Sequence, residues 1–138
     1  YREEEREMLR LCQSEGVGVT PWSPLARGRL ARPWTEAPQT ERAQNDNFAK
    51  TLFTRTVDMD KPVIDRMNEI AHERQLPPSQ IALAWLFHKP AITSPIVGAT
   101  KPHHLEDAIA AVETKLSEAE IARLEELYQP HASMGAFS

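Results

Sequence analysis

Apolar residues along this chain come in short clusters whose spacing switches between helical and alternating. Residues 2–15 carry Met8, Leu9, Leu11 and Cys12 among charges, with Glu3–Arg6 and Glu7–Arg10 at i,i+3 spacing. They predict an amphipathic helix stopped by Gly16 at the C′ position. Residues 17–20 hold the β-branched Val17, Val19 and Thr20 and predict a brief buried strand. Pro21 has no N–H and Pro24 restricts Ser23, so the strand is expected to stop there. Residues 31–60 show no clear period, contain Pro33 and Pro38, and are longer than an ordinary connection. They predict a functional lid or a disordered excursion, with a short helix over 46–55 presenting Phe48, Leu52 and Phe53.

The second half is more regular. Asp60 is the expected N-cap of a helix running to about Leu76, with Pro62 in its first turn and Val63, Met67, Ile70 and Ala71 on its buried face. Pro77-Pro78 breaks it and starts the next helix, where residues 81–87 are apolar nearly all round and predict burial on several sides. After Lys89-Pro90, residues 91–97 predict a second short strand. Gly98-Ala99 turns into a helix capped by Thr100, with a buried stripe of Leu105, Ala108, Ile109 and Val112. Ser117-Glu118-Ala119-Glu120 is a capping box, with Leu116 and Ile121 spaced for a hydrophobic staple, and this helix continues through Leu124 and Leu127 towards Pro130. Residues 129–138 read as a tail. Strands separated by helices imply an α/β chain with parallel pairing, but two strands do not make a stable parallel sheet. The sheet to which they belong is expected to lie outside this chain.

Composition narrows the function classes. The chain has 138 residues, 41% hydrophobic and 26% charged, with a net charge of −4, which gives no nucleic-acid footprint. Cys12 is the single cysteine, so no intrachain disulfide forms and a reducing, cytoplasmic setting is expected. No run is long enough to span a membrane, and no signal peptide precedes the first helix. The chain opens on Tyr1, directly into a charged helix, and reads as a piece of a longer protein.

Two loops carry candidate chemistry. Residues 21–30 follow the first strand and offer a flat indole (Trp22), a hydroxyl (Ser23), a small residue (Ala26) and the cations Arg27 and Arg29, with Arg32 close behind. That set suits a ligand that is part ring and part phosphate, although an indole after a strand is more often core packing than a cofactor platform and a basic loop is as often just solvated. The second is Val97-Gly98-Ala99-Thr100-Lys101, where small residues precede a helix start whose free N–H groups favour an anion. An ordinary strand-to-helix turn has the same outline. His103 and His104 are adjacent on a helix and are expected to point different ways, so no metal site is expected.

Trp22-Ser23-Pro24-Leu25-Ala26-Arg27-Gly28, followed by Gln80-Ile81-Ala82-Leu83-Ala84-Trp85-Leu86 and then Ile96-Val97-Gly98-Ala99-Thr100, resembles the aldo-keto reductase superfamily over nearly the whole chain. The branch it looks most like includes the potassium-channel β-subunits and bacterial reductases. The resemblance implies a (β/α)8 TIM barrel that binds NADP(H) in an extended pose, this chain being its C-terminal part and incomplete on its own. It implies that Trp22 stacks on the nicotinamide, and that Ser23, Pro24, Leu25 and Arg27 line the pyrophosphate, with Gly28 giving room. Arg42, helped by Arg32, would face the 2′-phosphate from the lid. Gly98 and Thr100 would hold the adenosine end, with His104 and Asp107 at the adenine or ribose. Ala108 stands where relatives usually carry Asn, and Pro77 where a capping Ser or Thr is common. The family's catalytic Tyr, Lys, Asp and His have no counterpart here. The expected activity is NADP(H)-dependent reduction of a small-molecule carbonyl by a parent protein that supplies the missing N-terminal half of the barrel. The alternatives are a non-catalytic NADP-binding module of the same fold and a helical interaction fragment.

Overall fold

The computed structural model describes residues 1–34 and 56–130. Five α-helices occur among them: α1 (Met8–Ser14), α2 (Val57–Arg74), α3 (Pro78–Phe87), α4 (Pro102–Glu113) and α5 (Glu118–Glu125). The expected first helix is split. Glu3–Glu5 form a 3₁₀ turn, and α1 begins only at Met8. Gly16 ends it as expected: at φ 68°, it donates to the Gln13 carbonyl while Val17 donates to that of Cys12, the paired bonds of a Schellman motif.

Helix α2 starts three residues before the expected cap. Asp60 lies in its first turn and accepts from the Thr56 hydroxyl at 2.5 Å, and Pro62 lies inside the helix. Its buried face is Ile64, Met67, Ile70 and Ala71, and Val63 is only half-buried. Gln75 closes the helix in the left-handed region. Pro78 then opens α3, whose Ile81, Ala82, Leu83 and Ala84 are buried as its apolar circumference predicts, together with the polar Gln80, whereas Trp85, Leu86 and Phe87 are only half-buried. The main apolar cluster joins Met67, Ile70 and Ala71 of α2, Ile81 and Ala82 of α3, and Leu124 of α5. Leu25, Leu30, Leu76, Trp85 and Leu116 pack against it.

The Ser117–Glu120 capping box forms in full, and Glu120 is held below its ordinary pKa by the Ser117 backbone N–H, against the opposing effect of burial. Helix α5 ends at Glu125, short of Pro130. It is tied to α2 by Arg123, which grips Glu73 through two bonds of 2.7 Å, and by Arg66 with Glu126.

The expected stripe of α4 is not buried. Ala111 is its one fully covered residue, while Leu105, Ile109 and Val112 are 50%, 62% and 48% exposed. Amphipathic spacing specifies an apolar face, not the element that covers it. The strands are likewise reduced to two isolated parallel bridges, Val19 with Ile92 and Trp22 with Ile96, and Val17 is exposed rather than buried. Pairing also runs past Pro21, which lacks a donor but uses its carbonyl to accept from Ile96 N–H at 2.9 Å.

Candidate functional site

The parallel bridges place the site. Val19 N–H donates to Ala91 and Thr93 N–H donates back to Val19, at 3.1 and 2.9 Å. Because the two segments run the same way, the loops that follow them leave from the same end. Residues 23–31 and 97–101, separate in sequence, therefore become neighbours at the carboxyl ends of paired strands, where α/β proteins build ligand sites.

The first loop is wound unusually tightly. Ser23, Ala26, Arg27 and Gly28 all have positive φ, the last at 94°, a conformation that favours glycine. Ala26 N–H donates to the Ser23 carbonyl, and the Gly28 and Leu30 N–H groups donate to that of Leu25, so that Ala26–Ala31 winds as short 3₁₀ turns broken by a kink at Arg27 and Gly28. The Leu25 side chain faces the core cluster and anchors the turn. Trp22 stands outside, 61% exposed, so it does not serve here as core packing. The Arg32 guanidinium folds back over Gly28, within 3.8 Å of where a Cβ would stand. Arg29 stacks on the Trp34 ring at 4.9 Å, and burial lowers its pKa against the opposing charge of Asp60. Pro24 and Arg27 are half-buried along the same turn.

The second loop is open. Nothing lies within 4 Å of a Cβ built on Gly98. Lys101, not Thr100, occupies the N-cap position of α4, and it provides no side-chain cap to the first turn. The Thr100 hydroxyl instead lies 3.5 Å from His104 Nδ1. His104 is exposed, and its ring meets that of His103 edge to face at 4.5 Å, so the two adjacent histidines do not diverge as expected. Among the described residues no group of three His, Cys, Asp or Glu side chains could hold a metal ion. Asp107 is half-buried and faces α3, accepting from the Ser79 hydroxyl at 3.4 Å. Arg42 lies outside the described residues. The sequence reasoning missed Gly18, Thr93 and Ile96, which set how the two strands meet; the signal available was a proline in each segment, Pro21 and Pro95.

No helix of the described residues is long and apolar enough to cross a membrane. The sequence model of the aldo/keto reductase family matches residues 1–129. An aldo-keto reductase of Fusarium vanettenii is 44% identical over 135 residues, which is 98% of this chain and 36% of that protein. Versiconal hemiacetal acetate reductase of Aspergillus parasiticus is 40% identical over 131 residues, 95% of this chain and 38% of its own length. Among solved structures, the thermostable aldo-keto reductase Tm1743, determined with the inhibitor epalrestat, superposes with a TM-score of 0.61 at 29% identity, covering 92% of this chain and 36% of that one. The chain thus spans little more than a third of the relatives it matches. A match running through both loops and past the end of α5 is more than a shared local motif, and by it the chain belongs to the aldo/keto reductase family.

Proposed function

We propose that this chain forms the C-terminal part of a (β/α)8 barrel and supplies the cofactor loops of an NADP(H)-dependent carbonyl reductase. The observation that carries the reading is the parallel pairing of Trp22 with Ile96, which sets the arginine-bearing turn beside the open start of α4. The residues present fit a dinucleotide. An exposed indole offers a stacking face, and the tight turn at Ser23–Gly28 would line a pyrophosphate flanked by Arg27 and Arg32. Gly98 leaves space for close approach, and the first turn of α4 has no side-chain cap competing with a ligand.

When bound, the nicotinamide would supply the hydride; the chain's own part is to hold and orient the cofactor. Trp22 would stack on the ring, and Ser23, Pro24, Leu25 and Arg27 would line the pyrophosphate. Gly98, Thr100 and His104 would meet the adenosine end. Asp107 accepts from Ser79 through one carboxylate oxygen and would offer the other to the adenosine end. Arg42 keeps its assignment to the 2′-phosphate from sequence alone, with Arg32 as helper, and residues 31–60 keep theirs as a lid. The carbonyl substrate and the proton donor belong to the rest of the protein.

In the protein at its natural length, Trp22→Ala is expected to weaken NADPH binding by roughly 0.5–1.5 kcal/mol beyond the loss of buried area. Fluorescence titration checks it. An unchanged dissociation constant would return Trp22 to the role of an ordinary apolar side chain.

A further inference from the structure

Two prolines meet across the parallel pair and decide its register. One residue more separates Ile92 from Ile96 than separates Val19 from Trp22. The excess is absorbed at Thr93 and Ser94, whose N–H groups both reach the Val19 carbonyl, at 2.9 and 3.4 Å. This two-against-one arrangement is that of a bulge. Without it, the residue offered to the Pro21 carbonyl would be Pro95, which has no N–H. The bulge brings the Ile96 N–H there instead, at 2.9 Å. Gly18 makes the bulge possible, because Thr93 Oγ1 lies 2.6 Å from where a Cβ on Gly18 would stand.

Residues paired directly across neighbouring strands project from the same face of the sheet. The shifted register therefore sets Ile96 beside Trp22, and both side chains are exposed, at 58% and 61%. A branched apolar side chain next to an exposed indole makes a corner rather than a flat plate. From this juxtaposition of Trp22 and Ile96 we infer that Ile96 is a positioning residue, a lateral wall that fixes where on the indole the nicotinamide ring rests. The inference rests on the reading of Trp22 as the nicotinamide platform. It assigns Ile96 a role towards the ring end of the cofactor and none towards the phosphates.

The test compares Ile96→Ala, Ile96→Val and the unaltered protein at natural length, each titrated with NADPH and with 2′,5′-ADP, which carries phosphates and adenosine but no nicotinamide. Ile96→Ala is expected to weaken NADPH about tenfold and to leave 2′,5′-ADP unchanged, while Ile96→Val restores most of the loss. Should Ile96→Ala fail to fold, Ile96→Thr keeps the β-branch and removes apolar contact, with the same expected split between the two ligands. Equal weakening of both ligands, or no change in either, overturns the role of Ile96 and leaves the NADP(H) reading standing. If the unaltered protein binds neither ligand, that reading falls and the inference falls with it.

Discussion

Gly18 carries no functional group, yet its missing side chain sets the register of the strand pair. A Cβ there would meet Thr93 Oγ1 at 2.6 Å and Thr93 Cβ at 3.3 Å. The hydroxyl can rotate away, but the Cβ can yield only by moving the bulge. Gly18→Ala is therefore expected to destabilise the fold by roughly 1–3 kcal/mol, as overpacking does, read as a lowered midpoint of urea unfolding in the protein at natural length. Adding Thr93→Gly removes both contacts and should recover part of that loss; additive losses in the double variant would separate the two residues.

At the scale of elements, the N-terminal segment is held to α3 and α5 by a cluster in which cations, carboxylates and aromatic rings alternate. Arg2 binds Glu5 at 2.6 Å and Glu125 at 2.9 Å, and Lys89 binds the same two carboxylates at 3.2 and 2.6 Å. Trp85 Nε1 donates to Glu125 at 2.9 Å, and both cations lie over its ring. The Tyr128 hydroxyl accepts from Arg2 N–H and donates to Glu3. Burial pulls the Glu125 carboxyl up, but the bonds from Lys89 and Trp85 and the nearby Lys89 and Arg2 charges outweigh it, so its pKa lies below the ordinary value. Glu5 is lowered on the same balance of burial against Arg2 and Lys89. Carboxylates lowered in the folded state add stability that is complete above the ordinary glutamate value of about 4.3 and is lost as pH falls through the lowered one. The four charged side chains keep 16–25% of their surface in water, which places the effect at the modest end. Glu125→Gln is expected to cost about 1 kcal/mol near pH 7 and to flatten the acid limb of the stability curve. An acid limb of unchanged steepness would count against the cluster.

Over the whole molecule, burial is uneven. Helices α2, α3 and α5 share one core, whereas Leu105, Ile109 and Val112 of α4 are exposed alongside Trp22, Ile96 and Val97. Apolar helix faces and strand edges of this kind ordinarily lie against further elements, and a parallel pair needs neighbours to be stable. The 138-residue chain on its own is expected to unfold over a broad thermal range and to bind a hydrophobic dye, and calorimetry of a dilute monomer showing one sharp transition would contradict this. It is also expected to show no aldehyde-dependent NADPH oxidation, since nothing in it matches the family's catalytic tyrosine in context.

Local chemistry was legible where it acts through neighbours in sequence. The capping box at Ser117–Glu120, the Gly16 stop, the Pro78 start and the apolar face through Met67, Ile70 and Ala71 each depend on residues within a turn or two, so the sequence alone determined them. The two loops and their residue types, Trp22 to Gly28 and Gly98 to Thr100, were legible for the same reason. Their adjacency was implied by the family resemblance but not by the residues themselves, because it depends on which backbone groups meet across a separation of 73 residues from Val19 to Ile92. The tertiary structure alone decided that Ile96 rather than Pro95 stands beside Trp22, that Asp107 turns to Ser79, and that the apolar stripe of α4 lies exposed. A side-chain period records that a face is apolar, and a proline records that a donor is missing. Neither records the partner, which is fixed only when distant segments share one register and one core.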